Sequence, residues 1–250
     1  GAPAAFDGKY IAFKGNYADE NGVSQTGVFY RDIVSNDGEN GAVPIAYRGM
    51  ALPNDASKTF GSTAPPSAAK GKVVFTGLDV EEAPTAGGIY MGKVGTDRTL
   101  KTLVTIGTTV PGADSTVPGG ATLNRLGEGL SFDGRYVSFW GAWGTDTRSV
   151  TVTCSAEGNA TVRAYCIDKD DNGTPKDGIY VFNVPLHQGI LQLDTKTGAL
   201  QLVAQTGAEY QDFLFWNFSG NAGQGGGEES DEEEGARWRS SAFIAADGQK

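Results

Sequence analysis

The glycines at positions 8, 71 and 134 stand 63 residues apart, twice, and each opens an apolar stretch of similar pattern. The stretches read FDGKYIAFKG (6–15), AKGKVVFTG (69–77) and FDGRYVSFWG (132–141). An internal period of this size constrains the fold more than any single motif. Each repeat must be one supersecondary unit that buries its apolar surface against neighbours of the same construction. The rest of the unit repeats too. A second strand candidate follows each header, TGVFYRD from Thr26, GGIYMGK from Gly87 and DGIYVFN from Asp177, and then a third, VPIAYRG, LKTLVTIG and LQLVAQTG.

A fourth header, SAFIAADGQK, places its turn glycine at 248, which is 114 residues beyond Gly134 and 51 more than one period. The surplus is divided between insertions at 144–177 and 211–236. One domain over 1–250 is expected, built of units at about 1–62, 63–125 and 126–236 with a partial unit at 237–250.

Counting the strand that ends at the Asp-Gly turn, each unit holds four strands. Alternating pairs such as Ile11 and Phe13, or Val137 and Phe139, supply an apolar set for each face, as face-to-face packing requires. Composition agrees: 39% apolar residues suit a soluble core, and 37 glycines with only 20% charged residues favour short strands and tight turns over helices. The expected fold class is therefore all-β, a propeller-like array of four-stranded blades. The order F-D-G-R-Y-V-S-F, then G-I-Y-V, then L-x-L-D-x-x-T-G-x-L-x-L-V resembles the blades of TolB-type periplasmic propellers. With LVTIGTTVPG (103–112), the chain is also similar to the tandem repeats of secreted bacterial proteins that carry an Asn-x-x-Gly-x-x-Ala-Phe signature. It departs from the second family in lacking the Asn before the turn, and from both in its long period and large insertions. The shared positions are core and turn positions, so the resemblance implies a fold and transfers no catalytic residue.

Three whole units leave sheet faces and edges uncovered, because propellers usually need at least four. The expected partners are other copies of the chain or a further chain completing the array, with carbohydrate as a candidate ligand. A net charge of −10 would repel a phosphate backbone and an anionic membrane, which argues against nucleic acid. No apolar run approaches the roughly 18 to 20 residues that would span a bilayer. The first ten residues carry neither region of a signal peptide, so a mature, processed or excised chain is expected.

The first insertion holds the only two cysteines, Cys154 and Cys166. SVTVTC and ATVRAYC read as strands around Gly158, so the thiols face each other across a hairpin as a disulfide or stay reduced and half-buried. The disulfide is favoured, and it implies an extracellular, cell-surface or periplasmic location. Asp168, Asp170 and Asn172 precede Gly173 at alternate positions, as oxygen ligands do in the first half of a calcium loop, with Asp177 as a further ligand. Position twelve of that loop is Ile179 rather than Glu, which excludes an ordinary EF-hand and leaves an acidic solvent turn as the alternative to Ca²⁺. No other cofactor is implied.

The second insertion carries six carboxylates within 228–234 beside Arg237-Trp238-Arg239, a solvated loop or a tether for a basic partner. Trp140, Trp143, Trp216 and Trp238 gather in the third unit. They are a candidate carbohydrate-stacking set, with interblade core as the commoner role for any one of them. Sequons stand at Asn159, Asn172 and Asn217, relevant to a secreted eukaryotic chain. Catalytic groups are sparse: His187 is the only histidine, no G-x-S-x-G elbow is present, and Asp194, Glu209 and Asp212 are the carboxylates to inspect for glycoside chemistry. The sequence thus points to a non-catalytic binding or assembly module, the alternative being a glycan-active hydrolase or lyase with its site on the third unit.

Overall fold

A computed structural model describes residues 4–18, 20–34, 41–80, 83–95, 99–154 and 177–206, with the short pairs 217–218 and 238–239. The regular structure among them is all β. The first unit contains β1 (Ala5–Phe6), β2 (Tyr10–Ala18), β3 (Ser24–Asp32) and β4 (Val43–Tyr47), an antiparallel meander in spatial order β1-β2-β3-β4. A small hairpin, β5 (Ala51–Leu52) with β6 (Asp55–Thr59), leads to the second sheet. There β7 (Ser62–Thr63) and β8 (Ser67–Ala69) lie end to end along one edge of β9 (Lys72–Leu78), which pairs onward with β10 (Gly87–Lys93) and β11 (Lys101–Thr105). Pro65 and Pro66 divide β7 from β8, since neither has an N–H to donate to the ladder.

The third sheet is again a four-stranded meander: β12 (Leu123–Phe132), β13 (Tyr136–Thr153), β14 (Ile179–Asp194) and β15 (Leu200–Gln205). Finally β16 (Asn217–Phe218) pairs with β17 (Trp238–Arg239).

The repeated headers are the hairpins β1–β2, β8–β9 and β12–β13, each joining an outer strand to the long strand beside it. Asp133 N–H bonds Tyr136 O, and the Asp133 carboxylate accepts from Arg135 N and Tyr136 N at 2.7 Å each, closing the turn from inside. Gly134 has φ +103°, a backbone conformation that favours glycine, and its nearest neighbour is the flexible aliphatic chain of the exposed Lys70. In the second unit Lys70 stands where the others have Asp and takes φ +54°.

The sheets pack face to face. Ala12, Val28, Tyr30 and Ile45 of the first sheet join Val73, Phe75 and Tyr90 of the second in one core, with Phe60 edge-on to Tyr90 at 5.1 Å. The opposite face of the second sheet, through Val74, Ile89 and Val104, packs on Val137, Phe139, Leu191 and Leu193 of the third. Hydrogen bonds between sheets join equivalent places in successive units. Gly71 N donates to the Asp7 carboxylate, 64 residues away. Tyr30 Oη both donates to Gly95 O and accepts from Gly95 N, and Phe132 N donates to Ser67 Oγ, each pair 65 residues apart. The sequence period is therefore also a spatial one.

Among the described residues β13 and β14 stay paired past Trp143, with 147–153 on 185–179 after a register shift. The strand SVTVT thus lies against Ile179–Asn183 on one edge, and its expected partner ATVRAYC falls outside the described residues.

Candidate functional site

The third unit was the expected location of a site, and its tryptophans separate. Trp143 is 2% exposed in the core shared with the second sheet, and Trp140 is 4% exposed on the opposite face of the third sheet, beside Ala142, Ile190 and Ala204. Their rings are spent on packing, which corrects the stacking role for these two and agrees with the commoner role of an interblade tryptophan. Trp216 lies outside the described residues; Trp238 is described only as backbone paired with Phe218.

Around Trp140 the buried face is polar and satisfied. Its Nε1 donates to Gln188 Oε1 at 3.0 Å, and Gln188 Nε2 donates to Pro185 O at 2.8 Å. Gln201 Nε2 donates to Gln192 Oε1 at 2.8 Å, and Gln192 Nε2 reaches Ser138 Oγ at 3.4 Å. These amide bonds tie β13, β14 and β15 together on the face that carries Trp140.

The titratable groups are likewise engaged in structure. Arg135 Nε and Nη2 clamp the Asp194 carboxylate, the closest contact being 2.7 Å. That clamp, against the cost of burial and with Lys196 N assisting, holds Asp194 well below the usual carboxylate range. A carboxylate held ionised in this way cannot serve as a general acid near neutral pH. Glu209 and Asp212 lie outside the described residues.

His187, on β14 opposite Trp143, has its Nε2 buried 3.6 Å from Asp146 Oδ2, and among the described residues that nitrogen has no hydrogen-bond partner. Among the described residues, then, no hydroxyl nucleophile is paired with it, the pairing a Ser-His arrangement needs. Among the described residues no three His, Cys, Asp or Glu side chains gather to hold a metal ion.

Most of the first insertion's candidates, Asp168, Asp170, Asn172, Asn159 and Cys166, lie outside the described residues. Asp177 is exposed and its carboxylate accepts from Ile179 N at 2.9 Å, the bond of an Asx turn that starts β14. Cys154 ends the ribbon strand, buried, with its N–H on Gly178 O; no free cysteine occurs among the described residues. Of Asn217 the backbone pairing with Arg239 is described.

The outer face of the first sheet is the surface that sequence reasoning passed over. Residues alternating with the core set point away from the second sheet: Phe6, Ile11, Phe13 and Tyr17 on β1 and β2, Phe29 on β3, and Tyr47 on β4. Phe29 lies across Gly15 and Gly27, which face each other in the ladder; a Cβ on either would meet its ring at 3.2 or 2.9 Å. Phe13 stacks beside it at 6.0 Å and Tyr17 meets it edge-on. Phe6 remains 60% exposed, Tyr17 44% and Tyr47 43%. The signal was available in the alternation of Ile11, Phe13 and Tyr17, which marks a second apolar face on a strand whose first face is already buried.

Comparison with known proteins assigns no family: no family model matches the chain, and no curated protein matches it.

Proposed function

We propose that the three meanders are blades of a propeller-like array of the TolB or Asn-x-x-Gly-x-x-Ala-Phe kind, and that the protein is a non-catalytic binding or assembly module. The blade reading is supported by the meander order within each sheet and by the hydrogen bonds 64 or 65 residues long that join successive sheets. The binding reading is carried by one observation: a stack whose described internal faces are packed ends in an exposed aromatic face on the first sheet. A Cys154–Cys166 disulfide belongs to the same proposal. It assigns the protein to the cell exterior or periplasm, where such a bridge persists. Calcium at Asp168, Asp170, Asn172 and Asp177 would stiffen the same insertion.

The test incubates the full chain with mixed polysaccharides, with and without a calcium chelator, and assays new reducing ends. No release is expected under either condition. Release that scales with protein concentration would overturn the non-catalytic reading and favour a glycan-active enzyme.

A further inference from the structure

The outer face of the third sheet is a covered face. By alternation it carries Ser138, Trp140 and Ala142 of β13, in register with Gln192, Ile190 and Gln188 of β14. Ala142 and Gln188 are wholly buried, and Ser138 is 5% exposed. Short side chains on an open sheet face stay in contact with water, because their neighbours stand beside them and not over them. A tryptophan ring lying across them would itself be exposed, whereas Trp140 is buried. The first sheet supplies the contrast, since its open outer face leaves Phe6, Tyr17 and Tyr47 exposed. Yet the apolar side chains described around Trp140, namely Ala142, Ile190 and Ala204, all belong to the third sheet itself.

We infer that the layer over this face is the fourth header of the same chain, 241–248, docked on the third sheet as each earlier header docks on the sheet before it. The inference rests on the blade reading and adds the occupant of the last described face. Stacking of first strands sets the precedent: β8 lies against β1, and β12 lies against β8. Cross-strand pairing then marks equivalent places in the three units, Ala5 with Ala12, Ser67 with Val74 and Ser131 with Ser138. Ala5 and Ala12 pack toward the second sheet, and Val74 packs toward the third. Ser67, on the face of Val74, accepts through its Oγ from Phe132 N in the next first strand. Ser131 holds the same place on the outer face of the third sheet, and so marks where the next strand lies.

Sequence selects 241–248 for that strand. It runs from SAFIAA into Asp247-Gly248 as the third header runs into Asp133-Gly134, and SAFIAA carries no charge. It therefore covers Trp140 and Ala142 without burying a carboxylate, which 228–234 with its six acids could not do. Counting back from Asp-Gly, Ala246 stands where Phe132 does and Ile244 where Leu130 does. Phe132 and Leu130 both pack into the core shared with the preceding sheet. Ile244 and Ala246 accordingly face the third sheet, Ala245 faces away, and Ala246 N donates to Ser131 Oγ.

Fluorine NMR on the full chain grown with fluorotryptophan tests the inference, the Trp140 and Trp143 resonances being assigned with Trp140→Phe and Trp143→Phe. Exposure is read as the change in resonance position between light and heavy water. Ile244→Glu is expected to turn Trp140 from shielded to solvent-sensitive and to leave Trp143, on the opposite face, unchanged. Ala245→Glu, one residue on and facing away, is expected to change neither. Ser131→Ala is a milder change that keeps the chain folded should Ile244→Glu unfold it, and it is expected to speed amide exchange at Ala246 several-fold without moving Trp143. Equal effects of Ile244→Glu and Ala245→Glu, an Ala246 amide indifferent to Ser131→Ala, or a Trp140 exposed by Phe215→Glu and not by Ile244→Glu would each overturn the inference. Protection of Ala246 that is lost on dilution would assign the strand to a second copy and overturn it as well. None of these outcomes touches the bonds between the three described sheets, which support the blade reading, or the reducing-end assay that decides the non-catalytic one.

Discussion

Asp79 is the group whose removal has the most readable consequence. It follows β9 and ties the turn into β10. Its Oδ1 accepts from Val80 N at 2.9 Å and from Thr85 N and Ala86 N at 3.0 Å each, its Oδ2 accepts from Thr85 Oγ1, and Lys58 Nζ stands 3.6 Å away. The side chain is only 8% exposed. Burial alone would raise its pKa, but the four hydrogen bonds outweigh burial and bring it from 3.8 down to about 2. By linkage that gap corresponds to about 2 kcal/mol of folding stability.

The pKa is depressed in the folded state. The contribution is therefore complete above the unfolded value near 4 and is lost as pH falls through about 2. Asp79→Asn keeps the shape and removes the charge, so it should cost about 2 kcal/mol near neutral pH. Urea unfolding of both proteins, followed by tryptophan fluorescence at several pH values between about 7 and 2, reads the difference directly. The gap should hold down to about pH 5, narrow below about pH 4 and nearly vanish at about pH 2. A neutral-pH difference under about 0.5 kcal/mol, or one that persists undiminished at about pH 2, would refute this account of the turn.

Gly134→Ala should destabilise by about 1 kcal/mol in thermal unfolding, since it strains a backbone at φ +103° while the exposed Lys70 side chain can swing aside. Gly49→Ala, at φ +89° in open space, should cost about the same, and a much larger cost at Gly134 would show that Lys70 does not yield. Trp140→Phe keeps most of the packing but strands the Oε1 of fully buried Gln188, which should cost about 1–3 kcal/mol. Adding Gln188→Leu should recover part of that loss, and a strictly additive double mutant would show that the indole–amide bond contributes little.

The architecture was legible because its signals are local and periodic. Gly8, Gly71 and Gly134 mark three hairpins, and the strand candidates that follow them became β2–β4, β9–β11 and β13–β15. The bonds that join units were not legible. Gly71 N reaches Asp7 and Phe132 N reaches Ser67 only once the sheets stack, and no pattern within one unit specifies a partner in the next. Trp140 and Trp143 show the limit most clearly. Three residues apart in one strand, they fall on opposite faces of the same sheet and so enter different cores. A cluster of tryptophans in sequence is thus not a cluster in space when the chain is extended, because alternate side chains diverge.

The same rule explains why the first sheet, which has no tryptophan, holds the stronger candidate for binding. Ile11, Phe13 and Tyr17 share one face by spacing of two, and Phe29 meets them across the ladder because the β2–β3 pairing runs without a register shift from Tyr10 to Ala18. The third sheet lacks that regularity, with shifts between Leu126 and Leu130 and between Trp143 and Thr147. A shift breaks a row of side chains into shorter pieces on either side of it. In the first sheet the only such shift is between β3 and β4, at Val28/Phe29, so the unbroken row runs along β2 and β3 and makes their outer face a better candidate surface than the tryptophans of the third sheet.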